Sequence, residues 1–338
     1  MWTVKRIEEL FEMDFHELGR IANSINDEKV MFVINRHINY TNVCISKCPL
    51  CAFWREKGYL MSKEEILKRV DEAVKKGATE LHIVGSHNPD VNIEYFEEIF
   101  REIKSRYPQV VIKALTATEI HFLAKKERCS VREILSRLKD AGLQMLPGGG
   151  AEILCNDVRR IICPNKAKSE EWLSIMKIAH ELGLKSNATI LFGHIESIRH
   201  RAIHLYKLWK LQERTKGFIS LIPLVFHPEN TLLKKWGLVE EKTNPVDILK
   251  TIAVSRIVLS NFKSIRAYWV GLGEKLAQVA LNYGANDIDG TIMEERVTHS
   301  AGASSPPYLT VDRILKIVRS AGKIPVQRDS FCNVIKVY

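Results

Sequence analysis

The sequence predicts an α/β chain folded as a (β/α)-type, TIM-like barrel with short N- and C-terminal extensions. Three observations carry that expectation. Apolar, β-branched runs alternate with amphipathic helical stretches about eight times. Most of those runs are continuously apolar instead of alternating in polarity, as strands buried on both faces are. The 338 residues, 46% hydrophobic and 27% charged, supply a core large enough for one barrel of this length.

In chain order the strand candidates are Val30–Asn35, Glu80–Val84, Val110–Leu115, Leu143–Leu146, Asn187–Phe192, Ser220–Phe226 and Ser264–Trp269, with a short eighth near Ile288. Between them the helices have legible ends. Ser62 and Glu65 form a capping box, Ile66, Val70, Ala73 and Val74 make one apolar stripe, and Gly77 stands where the helix stops. Ser130 with Glu133 repeats the start signal, and further helices read at Ile93–Arg106, Glu170–Leu182, Ile198–Thr215, Pro245–Ser260, Glu274–Asn282 and Val311–Ser320. The expected organisation is one barrel domain over residues 1–338, with its core at about 30–303, a helix in 1–29 and an extension at 304–338. A barrel of this kind holds its chemistry on the loops after the strands.

Composition narrows the class. No apolar run approaches the roughly 18 residues of a membrane span; Phe218–Phe226 is short and broken by Ser220 and Pro223. The first fifteen residues scatter acids among apolar positions and do not read as a secretion signal, so the expectation is a cytoplasmic protein. The net charge of +10 would attract an anionic substrate, a nucleic acid or an acidic redox partner, yet basic residues are interleaved with acids in stretches such as KEEILKRVDEAVKK, as on a solvated surface. An RNA-binding protein would add a basic or aromatic module, and none is visible, so no nucleic acid partner is expected.

Seven cysteines are present, and three of them, Cys44, Cys48 and Cys51, crowd into a C-x3-C-x2-C spacing just after the first strand candidate. Three thiolates on one loop can each take a different iron of a cubane cluster, whereas structural zinc usually takes four ligands in two pairs. Three ligands leave one iron open to chelate a small molecule and pass it an electron. A zinc site completed by a histidine or Cys163 is the alternative. Cys129, Cys155, Cys163 and Cys332 otherwise read as small buried apolar residues.

That spacing, set in a barrel-length chain, resembles the signature of the radical S-adenosylmethionine superfamily. The resemblance runs from about Asn35 to Ala303 and is nearest to the menaquinone and deazaflavin biosynthesis branch, through NRHINYTNVC at 35–44, LPGGGAEIL at 146–154, ICPNK at 162–166, SNATILFGHIE at 186–196, IPLVFHPENT at 222–231, IRAYW at 265–269 and GANDIDGT at 284–291. Within the branch, HPENT at 227–231 and RAYW at 266–269 are most similar to the aminofutalosine synthases. The resemblance implies a [4Fe-4S] cluster and S-adenosyl-L-methionine as cofactors, and the net positive charge would suit an acidic ferredoxin or flavodoxin as reductant. It implies addition of a 5′-deoxyadenosyl radical to 3-[(1-carboxyvinyl)oxy]benzoate, giving 6-amino-6-deoxyfutalosine in the futalosine route to menaquinone. Sibling enzymes, the dehypoxanthine futalosine cyclase and the deazaflavin-forming synthases, are the alternative.

The resemblance also assigns expected roles. Cys44, Cys48 and Cys51 would hold the cluster. Gly85 and Ser86 would meet the methionine amino group, Glu152 the ribose hydroxyls, and Thr189 and Gly193 the adenine. The alternative for Glu152 is an acid at a helix N-terminus that offsets the dipole. His227 and Glu196 are the candidate catalytic groups, and Arg36, His37, Asn230, Arg266 and Asp289 the candidate substrate contacts, because a dicarboxylate asks for cations and donors. Two departures from the family pattern stand out. Leu50 replaces the aromatic residue common before the third cysteine, with Phe53 nearby as a substitute, and Gly-Ser-His-Asn-Pro at 85–89 replaces Gly-Gly-Leu-His-Pro, which displaces His87 by one position.

Overall fold

The computed structural model describes all 338 residues. Its strands, in chain order, are β1 (Lys29–Val33), β2 (Asn35–Asn39), β3 (Glu80–Val84), β4 (Val111–Ala114), β5 (Met145–Leu146), β6 (Lys185–Phe192), β7 (Phe218–Val225), β8 (Ser264–Ile265), β9 (Asp287–Gly290), β10 (Ile324–Arg328) and β11 (Val334–Val337). β2 to β8 pair in sequence order in one curled sheet, every pairing parallel, with helices in the connections. β9 bridges the remaining gap. Ala267 N donates to Asp287 O at 2.7 Å on one side, and His37 N donates to Ile292 O at 2.7 Å on the other. The (β/α) barrel expected from the alternation is therefore the observed architecture. No helix is long and apolar enough to cross a membrane.

The first barrel strand is not the apolar run at Val30–Asn35. That run forms β1, which pairs with β9 and β10 in a separate four-stranded sheet, and the barrel strand β2 follows it at Asn35–Asn39. The reason is the barrel interior: with side chains alternating along the strand, Asn35, His37 and Asn39 share one face, and all three are buried. A strand whose inward face is polar has no continuous apolar run to reveal it. β8 is likewise shorter than Ser264–Trp269, because the chain turns at Tyr268 into the helix Trp269–Leu272, where the Trp269 indole donates to Gly290 O at 2.9 Å.

The N-terminal segment holds two helices, Val4–Glu12 and Phe15–Ser24. The break falls at Asp14, whose carboxylate accepts from the backbone of His16 and Glu17 and so starts the second helix. Lys250 ties the pair to the barrel by donating to the carbonyls of Phe11 and Met13. The C-terminal extension is woven into the second sheet through β10, which lies parallel to β1. Helices Ala117–Glu127 and Asn156–Ile162 are additional to those the sequence pattern marks.

Apolar helix faces close the outside of the barrel; the stripe on Lys63–Lys75 buries Ile66, Leu67, Val70 and Ala73. Burying each large side chain contributes about 2 kcal/mol. Inside, the floor is polar. Glu80, Asp287 and Asp289 are matched there by Lys113, Arg266 and Arg328, all six buried. Glu80 bonds Lys113 at 2.5 Å, Asp287 bonds Arg328 at 2.7 Å, and Asp289 bonds Arg266 at 3.1 Å.

Candidate active site

The loop after β2 carries the three cysteines, and backbone bonds fix its path. Cys44 N donates to Arg55 O and Cys51 N to Cys48 O, while Pro49 O accepts from Leu232 N and Leu233 N in the loop after β7. Ile45 N donates to His87 O, the Ser86 hydroxyl donates to Val43 O, and Ser46 Oγ bonds His87 Nδ1 at 2.6 Å. The loop after β3 therefore braces the cysteine loop along its length.

All three thiols are free and line one cavity at the C-terminal end of the barrel strands. No three His, Cys, Asp or Glu side chains converge on one point, whereas a cubane asks each thiolate to reach a separate iron. The Cys51 sulfur faces the N–H groups of Phe53 and Trp54, an environment that suits a thiolate. Burial pushes the Cys48 and Cys51 thiols up, and the Lys166 ammonium opposes it. The residues present fit a [4Fe-4S] cluster with one open iron.

Around this loop the structure brings together most of the expected residues. Gly85 lines the cavity, and a Cβ there would stand 2.7 Å from the Tyr40 ring, so the chain can pass only as glycine. Ser86 lines it too, with its hydroxyl committed to Val43, leaving its backbone for a ligand. Glu152 has a left-handed backbone (φ 46°) and pairs with Lys166 at 2.7 Å. Burial pushes its carboxyl up, but Lys166 and Arg159 outweigh this and hold it below the usual range. Thr189 donates to Gly148 O at 2.8 Å across a contact where a Gly148 Cβ would meet the Ala188 backbone at 2.4 Å. His227 lines the opposite wall with Nε2 3.0 Å from Gly271 O, its pKa lowered by burial and by Lys242. His37, Arg266 and Asp289 line the floor.

Four expected site residues lie outside the cavity. The Glu196 carboxylate is held in its own turn by Gly193 N, His194 N and Arg201 Nε, and although burial raises it, His194 and Arg201 bring its pKa to about 2. Gly193 belongs to that turn, at φ 84°. Arg36 points outward to Glu72 and Glu294. Asn230 is exposed and donates to Ser300 O. Conversely, His82, Glu119, Lys166, Tyr268 and Glu295 line the cavity without having been singled out. Lys166 lies in the ICPNK stretch, and His82 is two residues from Glu80 on the inward face of β3; those were the available signals. Leu50 and Phe53 both reach the cavity, so Phe53 is placed to supply the aromatic face that Leu50 lacks.

Comparison with known proteins places this geometry. The family described as the radical SAM superfamily matches residues 38–205, and the CofH/MqnC C-terminal region matches residues 215–336. The chain is 41% identical over 334 residues to the aminodeoxyfutalosine synthase of Thermus thermophilus, covering 96% of this chain and 90% of that protein. It is 40% identical to the 5-amino-6-(D-ribitylamino)uracil–L-tyrosine 4-hydroxyphenyl transferase of Methanopyrus kandleri, covering 97% and 91%, and 39% identical to transferase 2 of that name from Methanosarcina mazei, covering 97% and 87%. Among solved structures, methylornithine synthase superposes with a TM-score of 0.76 at 16% identity over 96% of this chain and 94% of that one. The FeFe-hydrogenase maturase HydG from Carboxydothermus hydrogenoformans gives 0.73 at 15% identity over 98% and 78%. These two show the fold.

Proposed function

The chain belongs to the radical S-adenosylmethionine superfamily, and from that premise we propose that it is an aminodeoxyfutalosine synthase, a transferase acting on 3-[(1-carboxyvinyl)oxy]benzoate. As a family member it is an enzyme that uses a [4Fe-4S] cluster and S-adenosylmethionine; once bound, they supply a 5′-deoxyadenosyl radical. The chain's own residues do the rest. In this reading Cys44, Cys48 and Cys51 hold the cluster, the carbonyls of the Gly85–Ser86 turn receive the methionine amino group, and Glu152, bonded to Lys166, accepts the ribose hydroxyls. Thr189 and the apolar wall of Leu191, Ile222 and Leu224 exclude water from the path between cofactor and floor.

The observation that carries the choice of substrate is the placement of the motifs that set the aminofutalosine synthases apart. His227 from HPENT and Arg266 from RAYW both face the cavity that the cysteines open into, beside Asp289. The 41% identity to the Thermus enzyme supports it. The tyrosine transferases, at 39–40% identity, favour a second reading with the same cofactors and a tyrosine-derived acceptor. With a net charge of +10, the reductant in either reading is an acidic ferredoxin or flavodoxin.

One experiment separates the readings. Anaerobically reconstituted protein is given reductant and S-adenosylmethionine, then either the enolpyruvyl benzoate or tyrosine with 5-amino-6-(D-ribitylamino)uracil, and products are read by mass spectrometry. A benzoate-dependent adenosyl adduct with loss of one carboxyl is expected. Turnover of the tyrosine pair alone would move the assignment to the sibling reaction.

A further inference from the structure

The floor of the cavity holds two imidazoles that the protein leaves without partners. His37 on β2 and His82 on β3 are in register, their rings stacked with centroids 4.3 Å apart, and both line the cavity. Their surroundings contribute burial and neighbouring charge but no hydrogen bond to either ring. Beside them Arg266 spends Nη1 on Asp289 and Nη2 on Ser220, whereas its buried Nε has no partner, 3.6 Å from the nearest oxygen of Asp287. Unbonded donors inside a barrel are costly unless a ligand takes them. The two imidazole donors open on the cavity and match the two oxygens of a carboxylate, while Arg266 Nε is enclosed.

Charge adds a constraint. The three acids of the floor, Glu80, Asp287 and Asp289, already balance Lys113, Arg266 and Arg328. Glu295, the other acid facing His37, has its own cation in His299, whose pKa its hydrogen bond raises to about 9. An arriving carboxylate therefore finds donors but no spare positive charge.

We propose that His37 and His82 form the binding site for the ring carboxylate of the aryl substrate, and that its arrival brings one proton onto the histidine pair. The proposal rests on the benzoate reading above. It also orients that substrate: the ring carboxylate is remote from the reacting double bond, so anchoring it on the floor directs the double bond toward the mouth and the cysteine loop. The electrostatics agree. Burial lowers both imidazoles; for His37, Lys113 adds to this while Asp289, Glu295 and Glu80 oppose it, and for His82, His37, Lys113 and Arg266 add to it. Both shifts favour the neutral ring. A carboxylate in contact favours the charged form, and repulsion within the stack limits uptake to one proton.

The test is calorimetry on the cluster-loaded enzyme, in buffers of different ionisation heat, with two probes: the enolpyruvyl benzoate and 3-methoxybenzoate, which keeps only the ring end. About one proton taken up per molecule bound, and affinity falling by up to tenfold per pH unit above neutrality, is expected for both. The paired change His37→Gln with His82→Gln keeps both donors but cannot take the proton; it should lose the uptake and weaken binding by about tenfold. Turnover of the enolpyruvyl benzoate with no proton uptake by the wild type, or with uptake unchanged when both histidines are glutamine, would overturn the site and leave the substrate reading standing. Proton-coupled binding of 3-methoxybenzoate, without turnover of the full compound, would uphold the carboxylate site and overturn that reading.

Discussion

Glu80 and Lys113 show what holds the barrel floor in place. Both are wholly enclosed, and Glu80 also faces Arg266 and Arg328. Burial raises the Glu80 carboxyl, but these cations outweigh it and set its pKa at about 2. Glu80→Gln would leave Lys113 beside Arg266 without its bonded counter-ion, a loss of about 3–5 kcal/mol. Urea unfolding should show that loss, and pairing the change with Lys113→Met should recover much of it, because the stranded charge goes too; equal loss in single and double variants would place the cost in packing. This level was partly legible in the sequence. Arg266 and Asp289 stood out because they lie in dense motifs. His82 did not, since a histidine in an ELHIV run says nothing of which strand lies beside it, and stacking on His37 depends on a pairing 45 positions away.

At the scale of elements, one helix start organises the site. Thr116 and Glu119 make a capping box for Ala117–Glu127, and the same carboxylate accepts from Gly85 N at 3.0 Å and from the Tyr40 hydroxyl at 2.8 Å. Its other oxygen takes Thr116 N and Oγ1, both at 2.7 Å. Every contact is a donor, so Glu119→Gln must turn its amide N–H toward one of them. A loss of about 1–3 kcal/mol follows, together with displacement of the Gly85–Ser86 turn. The expected readout is weaker binding of S-adenosylmethionine by equilibrium dialysis, with cluster content unchanged; unaltered binding would show that the turn holds itself. From sequence, T-x-x-E signals a helix start and no more, because its second duty joins segments 34 residues apart. The helices and apolar strands were readable from period and caps. β2 was not, because its inward face is polar, and β10 was not, because its pairing with β1 depends on chain ends meeting across the whole fold.

Across the whole molecule, three histidines, two buried and His180 half-buried, set the acid limit of stability. His87 and His204 are held at about 3 and His180 at about 4, burial being the main cause in each. Their folded pKa values lie below the ordinary value of about 6.5, so the unfolded chain binds more protons. Each therefore stabilises the fold fully above about pH 6.5, and the contribution is lost as pH falls toward the folded value, at up to about 1.4 kcal/mol per pH unit for each histidine. The depressed carboxylates Glu80 and Glu196, both at about 2, have the same sign but act only below about pH 4.5. His299, raised to about 9 by its bond to Glu295, has the opposite sign: its contribution is complete below about pH 6.5 and is lost as pH rises through 9. Stability should thus be greatest near about pH 7 and should decline on the acid side well before any carboxylate titrates. Urea midpoints measured from pH 9 down to pH 4 test this. A plateau persisting to pH 5 would show that the three imidazoles are reached by water or by protons in the folded state, and that the barrel wall is looser around the cysteine loop, where His87 sits, than its packing implies.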